Sequence, residues 1–306
     1  MPYVALLITT IIWGLSAIVA KEAFTEINPY ILLFLRFAIA SIVVSPLIFV
    51  KRDQPDIRTR DIPKLVFLSF LATSIGAGGW VVGLFFTTAT RAAIITAIGP
   101  LLILPLERLI LKKSEKPVVY IASAVAFIGA LLVILKPIIL GEQTNFTNSM
   151  LIGDLLVFLS AFATALYTVL VQKDQRQYHS YQKTALGFTV GWLTALPFAL
   201  VAHHANPEWV TTAGPKTWLS VLYFGLGSSA IAYLLWQWAV EKVSPVGSSL
   251  MFYLQPIITI IAALLILHET PSPIEIAGGL IILIAVATVL FVQNRKPKEK
   301  VYNRIQ

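Results

Sequence analysis

The chain has 306 residues, of which 57% are hydrophobic and only 12% are charged, against about 25% charged residues in typical soluble domains. So few charges cannot cover the water-exposed surface of a folded domain of this size, which excludes a cytosolic enzyme, a disordered protein and a nucleic-acid binder. The formal net charge of +8 does not indicate nucleic acid, because the basic residues lie in a few short connections. The chain has no cysteine, so disulfides, thiolate nucleophiles and Cys-ligated metal sites are excluded as well.

Ten apolar runs follow one another along the chain. A bilayer core about 30 Å thick needs about 20 apolar residues in a helix. The runs lie at roughly 3–21, 30–50, 64–87, 91–111, 117–136, 150–172, 183–202, 217–239, 245–267 and 273–292, with Pro, Gly and Asn turn signals between them. A buried core helix would explain one such run but not ten in succession. The predicted fold class is therefore an all-α integral membrane protein with ten transmembrane helices, whose first run is not a cleaved signal peptide.

The basic residues are unevenly divided between alternate connections. If the N-terminus is cytoplasmic, 17 of the 23 Lys and Arg residues lie in inner connections or the tail, four lie in outer ones, and Arg36 and Arg108 lie inside runs. Cytoplasmic loops collect Lys and Arg, so we expect both termini in the cytoplasm. The short loops favour a bacterial cell, and hence its inner (plasma) membrane. The basic tail either contacts anionic lipid or is solvated.

The two halves of the chain align with each other. At an offset of 156 residues, 65–136 falls on 221–292 without a gap, and rare residues agree in register: Trp80 with Trp236, and Pro100 with Pro256. An odd number of spans in each unit turns the second unit over, which predicts two inverted five-helix repeats. Such repeats build secondary transporters, with the substrate site near the midplane between the halves. The predicted units are 1–140, 141–294 and a basic cytoplasmic tail at 295–306.

Short sequence fragments occur in a characteristic order along nearly the whole chain. They are Ile12-Trp13-Gly14 with Lys21, Leu35-Arg36-Phe37, Thr88-Ala89 with Gly99-Pro100, Gly153-Asp154-Leu155-Leu156 with Ala165-Leu166-Tyr167, Tyr233-Leu234-Leu235-Trp236, and Leu254-Gln255-Pro256 with His268-Glu269. In this order and spacing, the chain resembles the drug/metabolite transporter superfamily, EamA type, which implies ten spans in a five-plus-five arrangement. The family's halves usually end span four and span nine in Gly-Glu. The first half here reads Lys112-Lys113 instead, so no role of that acidic residue carries over to it.

Aromatic and hydroxyl side chains mark a candidate substrate site on the spans that line the pore in the resembled family. Trp is enriched at membrane interfaces, but three indoles lie mid-span, where each offers a ring to stack and an N–H that needs a partner. The predicted substrate-binding residues are Trp13, Ser16, Trp80, Thr96, Tyr167, Thr168, Tyr233, Trp236, Tyr253 and Gln255. Packing is the alternative for each residue alone; together they indicate a small, partly apolar solute.

Two prolines are candidate hinges. Pro100 and Pro256 each remove a backbone hydrogen bond inside a predicted helix and free a carbonyl, and such breaks form sites or hinges in transporters. The alternative is a kink that only shapes packing.

Three ionisable residues are candidates for a charge role. Arg36, deep in span two, either orients an anionic group such as a substrate carboxylate or is a strut bonded to helix-end carbonyls, and we favour the strut. His268 and Glu269 either sense protons or form a solvated helix end, which we favour. Asp154 is interpreted as a favourable helix N-terminal charge, and Glu107 and Arg108 as an interfacial ion pair. No acidic residue lies at the centre of a span, which weakens the case for proton coupling through a buried carboxylate.

Three classes of function are compared. The leading hypothesis is a secondary transporter that moves a small metabolite, an amino acid or related amphiphile, outward by alternating access, with no catalytic residue, cofactor or metal. The alternative is a non-transporting membrane sensor or assembly subunit, which predicts an added soluble domain or a large partner surface. A membrane-embedded enzyme would need a catalytic dyad or metal ligands at membrane depth, and no such motif is found. The expected partners are the solute and the lipid bilayer, without nucleic acid; a monomer is compatible with the sequence, and the oligomeric state stays open.

Overall fold

The computed structural model describes residues 1–46, 57–141, 145–173, 178, 180–240, 242–243 and 245–294, and this part of the chain contains helices and no β-strand. Its long helices follow the predicted runs. They are α1 (Pro2–Ala23), α2 (Pro29–Val44), α3 (Thr59–Phe86), α4 (Ala89–Leu111), α5 (Pro117–Ile134), α6 (Asn145–Lys173), α7 (Ser180–Ala205), α8 (Pro215–Val240), α9 (Pro245–Ile266) and α10 (Pro273–Asn294). Two short helices, Lys136–Ile139 and Trp209–Thr212, lie in the connections.

The helix starts follow from local sequence. Proline stands in the first turn of several helices, where its fixed φ and missing N–H are tolerated. Before α2, the Asn28 side chain accepts a hydrogen bond from the Tyr30 N–H at 3.0 Å. At α10, Ser272 and Glu275 form a capping box, in which the Ser272 N–H donates to the Glu275 carboxylate at 2.7 Å.

The outer faces of the helices are apolar. Eight helices of the described chain are long and apolar enough to cross a bilayer, and two shorter apolar segments, Pro29–Val44 and Leu254–Ile266, accompany them. Large aliphatic side chains such as Ile42, Leu109 and Val201 are 72–77% exposed. Exposed apolar side chains on this scale mark a surface made for lipid, so the chain is a multi-pass membrane protein.

Two helices contain a π-helical segment of nine residues each. The segments are Phe70–Gly78 in α3 and Tyr223–Ile231 in α8. A π segment shifts the backbone out of the regular hydrogen-bond ladder, and such segments are frequent at functional sites. The ladder of α4 is broken differently, by a turn at residues 97 and 98 between Ala89–Thr96 and Gly99–Leu111.

Helices from the two halves of the chain pack against each other. α2 lies along α7, and α5 lies along α10. α1 contacts α8 and α9, while α6 contacts α3 and α4, and α4 also contacts α9. The hydrophobic core is therefore built mainly between the halves rather than within each half.

Glycines set the closest of these contacts. A Cβ atom added to Gly129 of α5 would lie 2.8 Å from the Gly278 carbonyl oxygen of α10, and one added to Gly278 would lie 2.7 Å from the Gly129 oxygen. Gly83 of α3 and Gly153 of α6 approach each other in the same way. Small residues let helix backbones pack this closely in membranes.

Candidate functional site

An aromatic cluster joins α1 to α8. Trp13 lies with its ring centroid 5.3 Å from that of Tyr233, edge to face, and 5.4 Å from that of Trp236. Tyr233 in turn packs edge to face on Phe188 of α7, at 5.5 Å between centroids. We call Trp13, Phe188, Tyr233 and Trp236 the aromatic cluster; three of its four members are predicted site residues.

The π segment of α8 supplies the polar partners of this cluster. The Trp13 indole Nε1–H donates to the Ser228 carbonyl oxygen at 2.9 Å, and the Ser16 and Ser228 hydroxyls share a hydrogen bond of 3.1 Å. The Tyr223 hydroxyl donates to the Ile12 carbonyl oxygen. An aromatic N–H or O–H at membrane depth needs such a partner, so the segment fixes the orientation of α1.

A similar contact joins α6 to the π segment of α3. The Ser160 hydroxyl donates to the Gly76 carbonyl oxygen at 2.5 Å. A Cβ atom at Gly76 would lie 3.0 Å from the Thr164 hydroxyl, so the glycine allows the approach. Tyr167, one turn further along α6, is half-buried and interacts electrostatically with Tyr233. Tyr167 therefore faces the aromatic cluster from the other half of the chain.

The remaining predicted site residues have local partners. The hydroxyls of Thr96 and Thr168 donate to carbonyls of their own helices, Ala92 at 2.7 Å and Thr164 at 2.8 Å. Trp80 is half-buried and packs against two hydrophobic cores. The Gln255 side chain is half-buried, and the Tyr253 side chain lies outside the described residues. The structure thus brings Trp13, Ser16, Tyr233 and Trp236 together and adds Tyr167 from across the bundle.

The two candidate hinges differ in their backbones. Pro100 follows the turn that interrupts α4, whereas α9 continues through the buried Pro256. Next to Pro256, the Thr259 hydroxyl donates to the Gly14 carbonyl oxygen of α1 at 2.7 Å, and a Cβ atom at Gly14 would meet the Ile258 side chain at 2.8 Å. α9 is therefore held tightly against α1 at this depth.

Arg36 is 5% exposed at the middle of α2. Its Nε–H donates to the Ser229 hydroxyl in the α8 π segment at 2.8 Å. The favoured interpretation of a strut bonded to helix-end carbonyls was wrong for the described residues, because the printed partner is a hydroxyl in mid-helix.

A buried network of charges lies where α3 and α5 end and α4, α6 and α10 begin, at what we call the Arg91 end of the bundle. Arg91 is fully buried and forms ion pairs with Asp154 and, at 2.9 Å, with Glu275. Its guanidinium also donates to the Val133 carbonyl oxygen at 2.5 Å. Lys136 lies 3.3 Å from Glu275. Two basic and two acidic side chains thus balance each other, as buried charges require.

This network was not predicted. Asp154 was interpreted as a favourable charge at a helix N-terminus, but it is the tenth residue of α6, is fully buried, and accepts a hydrogen bond from the Thr87 hydroxyl at 2.5 Å. Arg91 was counted as an outer-connection charge. The available signal was charge balance, since Arg91 and Lys136 precede Asp154 and Glu275 at matching helix ends.

Glu269 connects the end of α9 to the start of α4. Its two carboxylate oxygens accept hydrogen bonds from the Ala89 and Thr90 N–H groups at 2.9 and 2.8 Å, and it interacts electrostatically with Lys21. Lys21 donates to the Thr87 carbonyl oxygen at 2.5 Å. The prediction of a solvated pair was therefore wrong for Glu269, whereas His268 is exposed.

The connections near this end carry a further anchor. Glu26, in the loop after α1, accepts hydrogen bonds from the Thr217 hydroxyl at 2.5 Å and the Gly214 N–H at 2.7 Å. These bonds, the one from Thr217 first, hold the pKa of the Glu26 carboxyl below its ordinary value. They tie the α1–α2 loop to the start of α8.

The opposite end of the bundle has weaker charge contacts. Glu107 lies 3.6 Å from Lys113, whose side chain is 58% exposed, and Arg108 lies over the Tyr120 ring at 4.8 Å. The predicted Glu107–Arg108 pair is thus replaced by separate partners. Within the described ranges, no group of three or more His, Asp or Glu residues is placed to hold a metal ion.

The apolar multi-pass fold and its mid-depth polar cluster define a class of membrane proteins that handle solutes within a helix bundle. The sequence model of the EamA-like transporter family matches residues 1–135 and again 151–291. The chain therefore belongs to the EamA-like transporter family, which confirms the resemblance to the drug/metabolite transporter superfamily.

Relatives over nearly the full length carry transporter names. An uncharacterized transporter of Archaeoglobus fulgidus is 29% identical over 279 residues, covering 91% of this chain and 93% of the relative. The uncharacterized transporter YcxC of Bacillus subtilis is 23% identical, with 93% and 91% covered. The WAT1-related protein At5g64700 of Arabidopsis thaliana is 24% identical, with 97% and 91% covered. A solved crystal structure shares the fold with a TM-score of 0.61 at 17% identity, covering 97% of this chain and 99% of that one.

Proposed function

We propose that the protein is a secondary transporter that exports a small metabolite, an amino acid or a related amphiphile, by alternating access of two inverted five-helix repeats. The observation that carries this proposal is the meeting of α1 and the α8 π segment, one from each half, at an aromatic cluster. Stacking rings, hydroxyls and displaced backbone carbonyls at one depth suit a small solute with both apolar and polar parts.

Three features support the inverted repeat. The helix contacts are unchanged in pattern when α1–α5 are exchanged for α6–α10: α1 with α8 corresponds to α6 with α3, and α1 with α9 to α6 with α4. The π segments lie in the corresponding helices α3 and α8. The family model also matches the chain twice, in 1–135 and 151–291.

The charge bias supports an orientation with both termini in the cytoplasm of a bacterial cell. In that orientation the Arg91 end faces outside. The buried ion pairs and the Glu269 bonds then hold the outer ends of α1, α3, α4, α6, α9 and α10 together, so the described conformation is closed to the outside. Opening requires these contacts to separate, and the interruption of α4 before Pro100, together with Pro256 in α9, would let those helices bend.

Vesicle transport tests this proposal. Inverted membrane vesicles that contain the chain are given a panel of labelled amino acids and small amphiphiles, and vesicles without it serve as the blank. We expect uptake of at least one compound above the blank. Trp236→Ala should weaken that uptake at low solute concentration about fivefold, because a lost aromatic contact is worth about 1 kcal/mol.

Trp238→Ala is the matched control. Trp238 lies two residues further along α8 but is exposed and packs under Lys242, with the Lys242 Nζ 4.5 Å from its ring. We expect normal uptake from this variant. Uptake at the blank level for the whole panel would overturn the transport proposal, and equal losses in both variants would remove the aromatic cluster from the site.

A further inference from the structure

Arg36 is a buried cation that the described chain does not neutralise. Its side chain meets no carboxylate among the described residues, and its one hydrogen bond uses Nε. Arg91 shows the contrast, because it has a similar burial but two carboxylates and a carbonyl oxygen as partners. A charge at membrane depth without a counter-charge is costly and is typical of a functional site.

The rest of the guanidinium is held in place but left open. Its carbon lies 5.3 Å from the centre of the Phe37 ring and 5.1 Å from that of the buried Phe224. The two Nη groups donate no hydrogen bond within the described residues. They are also not among the fully enclosed polar atoms without a partner, of which Thr90 Oγ1 is the described example. Both Nη groups therefore reach accessible space while the two rings fix the plane of the fork.

A fixed guanidinium fork with open Nη groups matches an anion. Arginine stays charged, and its planar fork binds a carboxylate or phosphate through two parallel hydrogen bonds. The two rings stabilise the cation by cation–π contact without cancelling its charge. Ser229, bound to Nε, keeps the fork turned to one side.

Aromatic side chains lead from Arg36 to the aromatic cluster. Phe37, next to Arg36, stacks on Phe188 at 5.9 Å between centroids, and Phe188 packs on Tyr233 at 5.5 Å. Arg36 itself interacts electrostatically with Tyr233. A cationic fork and an apolar, ring-lined surface are thus continuous with each other at the middle of the bundle.

We propose that Arg36, positioned by Ser229, binds the carboxylate of the solute while the aromatic cluster holds its apolar body. This inference rests on the proposed function and narrows its substrate to carboxylates with an apolar side. A solute of this kind supplies the counter-charge that the described chain lacks. Phosphate offers the same two acceptor oxygens, so the experiment separates the two anions.

Direct binding tests the inference without transport. Purified chain in detergent is titrated with a panel of amino acids and of aryl and alkyl carboxylates, each beside its neutral carboxamide, and with inorganic phosphate; thermal stabilisation reports binding. We expect one or more carboxylates to bind and their carboxamides to bind at least tenfold more weakly. Arg36→Gln should lose the preference for the acid, and Arg36→Lys should keep part of it. Arg108→Gln, an exposed arginine over Tyr120, should behave as wild type.

Each other outcome overturns the inference. Carboxamides that bind as well as acids, or an Arg36→Gln variant that keeps the acid preference, would make Arg36 a structural residue. Binding of phosphate with no carboxylate, or of nothing in the panel, would overturn the carboxylate assignment. The proposed function fails separately: wild-type vesicles that transport a solute unaffected by Arg36→Gln keep the transporter and lose this site, whereas carboxylate binding without any transport does the reverse.

Discussion

Arg36 and Arg91 have similar burial but opposite surroundings. Arg91 is enclosed by Asp154, Glu275 and the Val133 carbonyl, which together satisfy its charge and most of its donors. Arg36 has a hydroxyl and two aromatic rings. The first arrangement holds helix ends together, and the second leaves capacity for an anion, so the same residue type serves structure in one place and is free for binding in the other.

The Arg91 network predicts a large effect on stability from one atom change. Asp154→Asn keeps the shape of the side chain but leaves Arg91 with less counter-charge, and breaking a buried pair in this way costs about 3–5 kcal/mol. We expect a clear fall in the unfolding temperature of the detergent-purified chain. Glu107→Gln is the control, since its partner Lys113 is largely exposed and such a pair is worth about 1 kcal/mol or less. Equal shifts in the two variants would show that the Arg91 network does not stabilise the fold.

At the scale of elements, the ends of the helices could be predicted and their irregularities could not. Long apolar runs between Pro, Gly and Asn turns mark helix ends to within a few residues, as for 217–239 against Pro215–Val240. The π segments at Phe70–Gly78 and Tyr223–Ile231 depend on hydrogen bonds from other helices, such as Trp13 to the Ser228 carbonyl. That information lies in the packing and not in the local sequence.

The crossing of α5 and α10 allows a paired test on adjacent glycines. A Cβ atom on Gly278 would lie 2.6 Å from the Val133 Cγ2 and 2.7 Å from the Gly129 oxygen, so the helices must move apart. On Gly279 the nearest atom is 3.6 Å away, which is ordinary contact. We expect Gly278→Ala to lower the unfolding temperature and Gly279→Ala to leave it within a degree or two. A tolerated Gly278→Ala would mean that the crossing is looser than described.

At the scale of the whole molecule, part of the candidate site could be predicted because its residues are unusual in their positions. Trp13, Tyr233 and Trp236 are large aromatic residues at mid-span, where packing alone rarely demands a polar ring atom. Arg91 was missed because a charge near a helix start is read as a loop charge unless its partners are known. Asp154 and Glu275 are 63 and 184 residues away in the chain, so only the fold brings them to it.

The same fold makes closure of one end a property of the whole bundle. Glu269 from the second half caps the first turn of α4 in the first half, beside Lys21 of α1. In alternating access, contacts that close one end must break before the other end can close, so accessibility from the two sides should change in opposite directions.

Two-sided labelling of a single cysteine tests the central claim most directly. Cysteine is placed at Ser16, or in a separate chain at Thr168, in this cysteine-free sequence, and a membrane-impermeant thiol reagent is applied from either side. Alternating access predicts that Glu269→Ala raises labelling from outside and lowers it from the cytoplasm, while His268→Ala, at the exposed neighbour, changes neither. A Glu269→Ala variant that labels more from both sides, or no differently from either, would contradict the account.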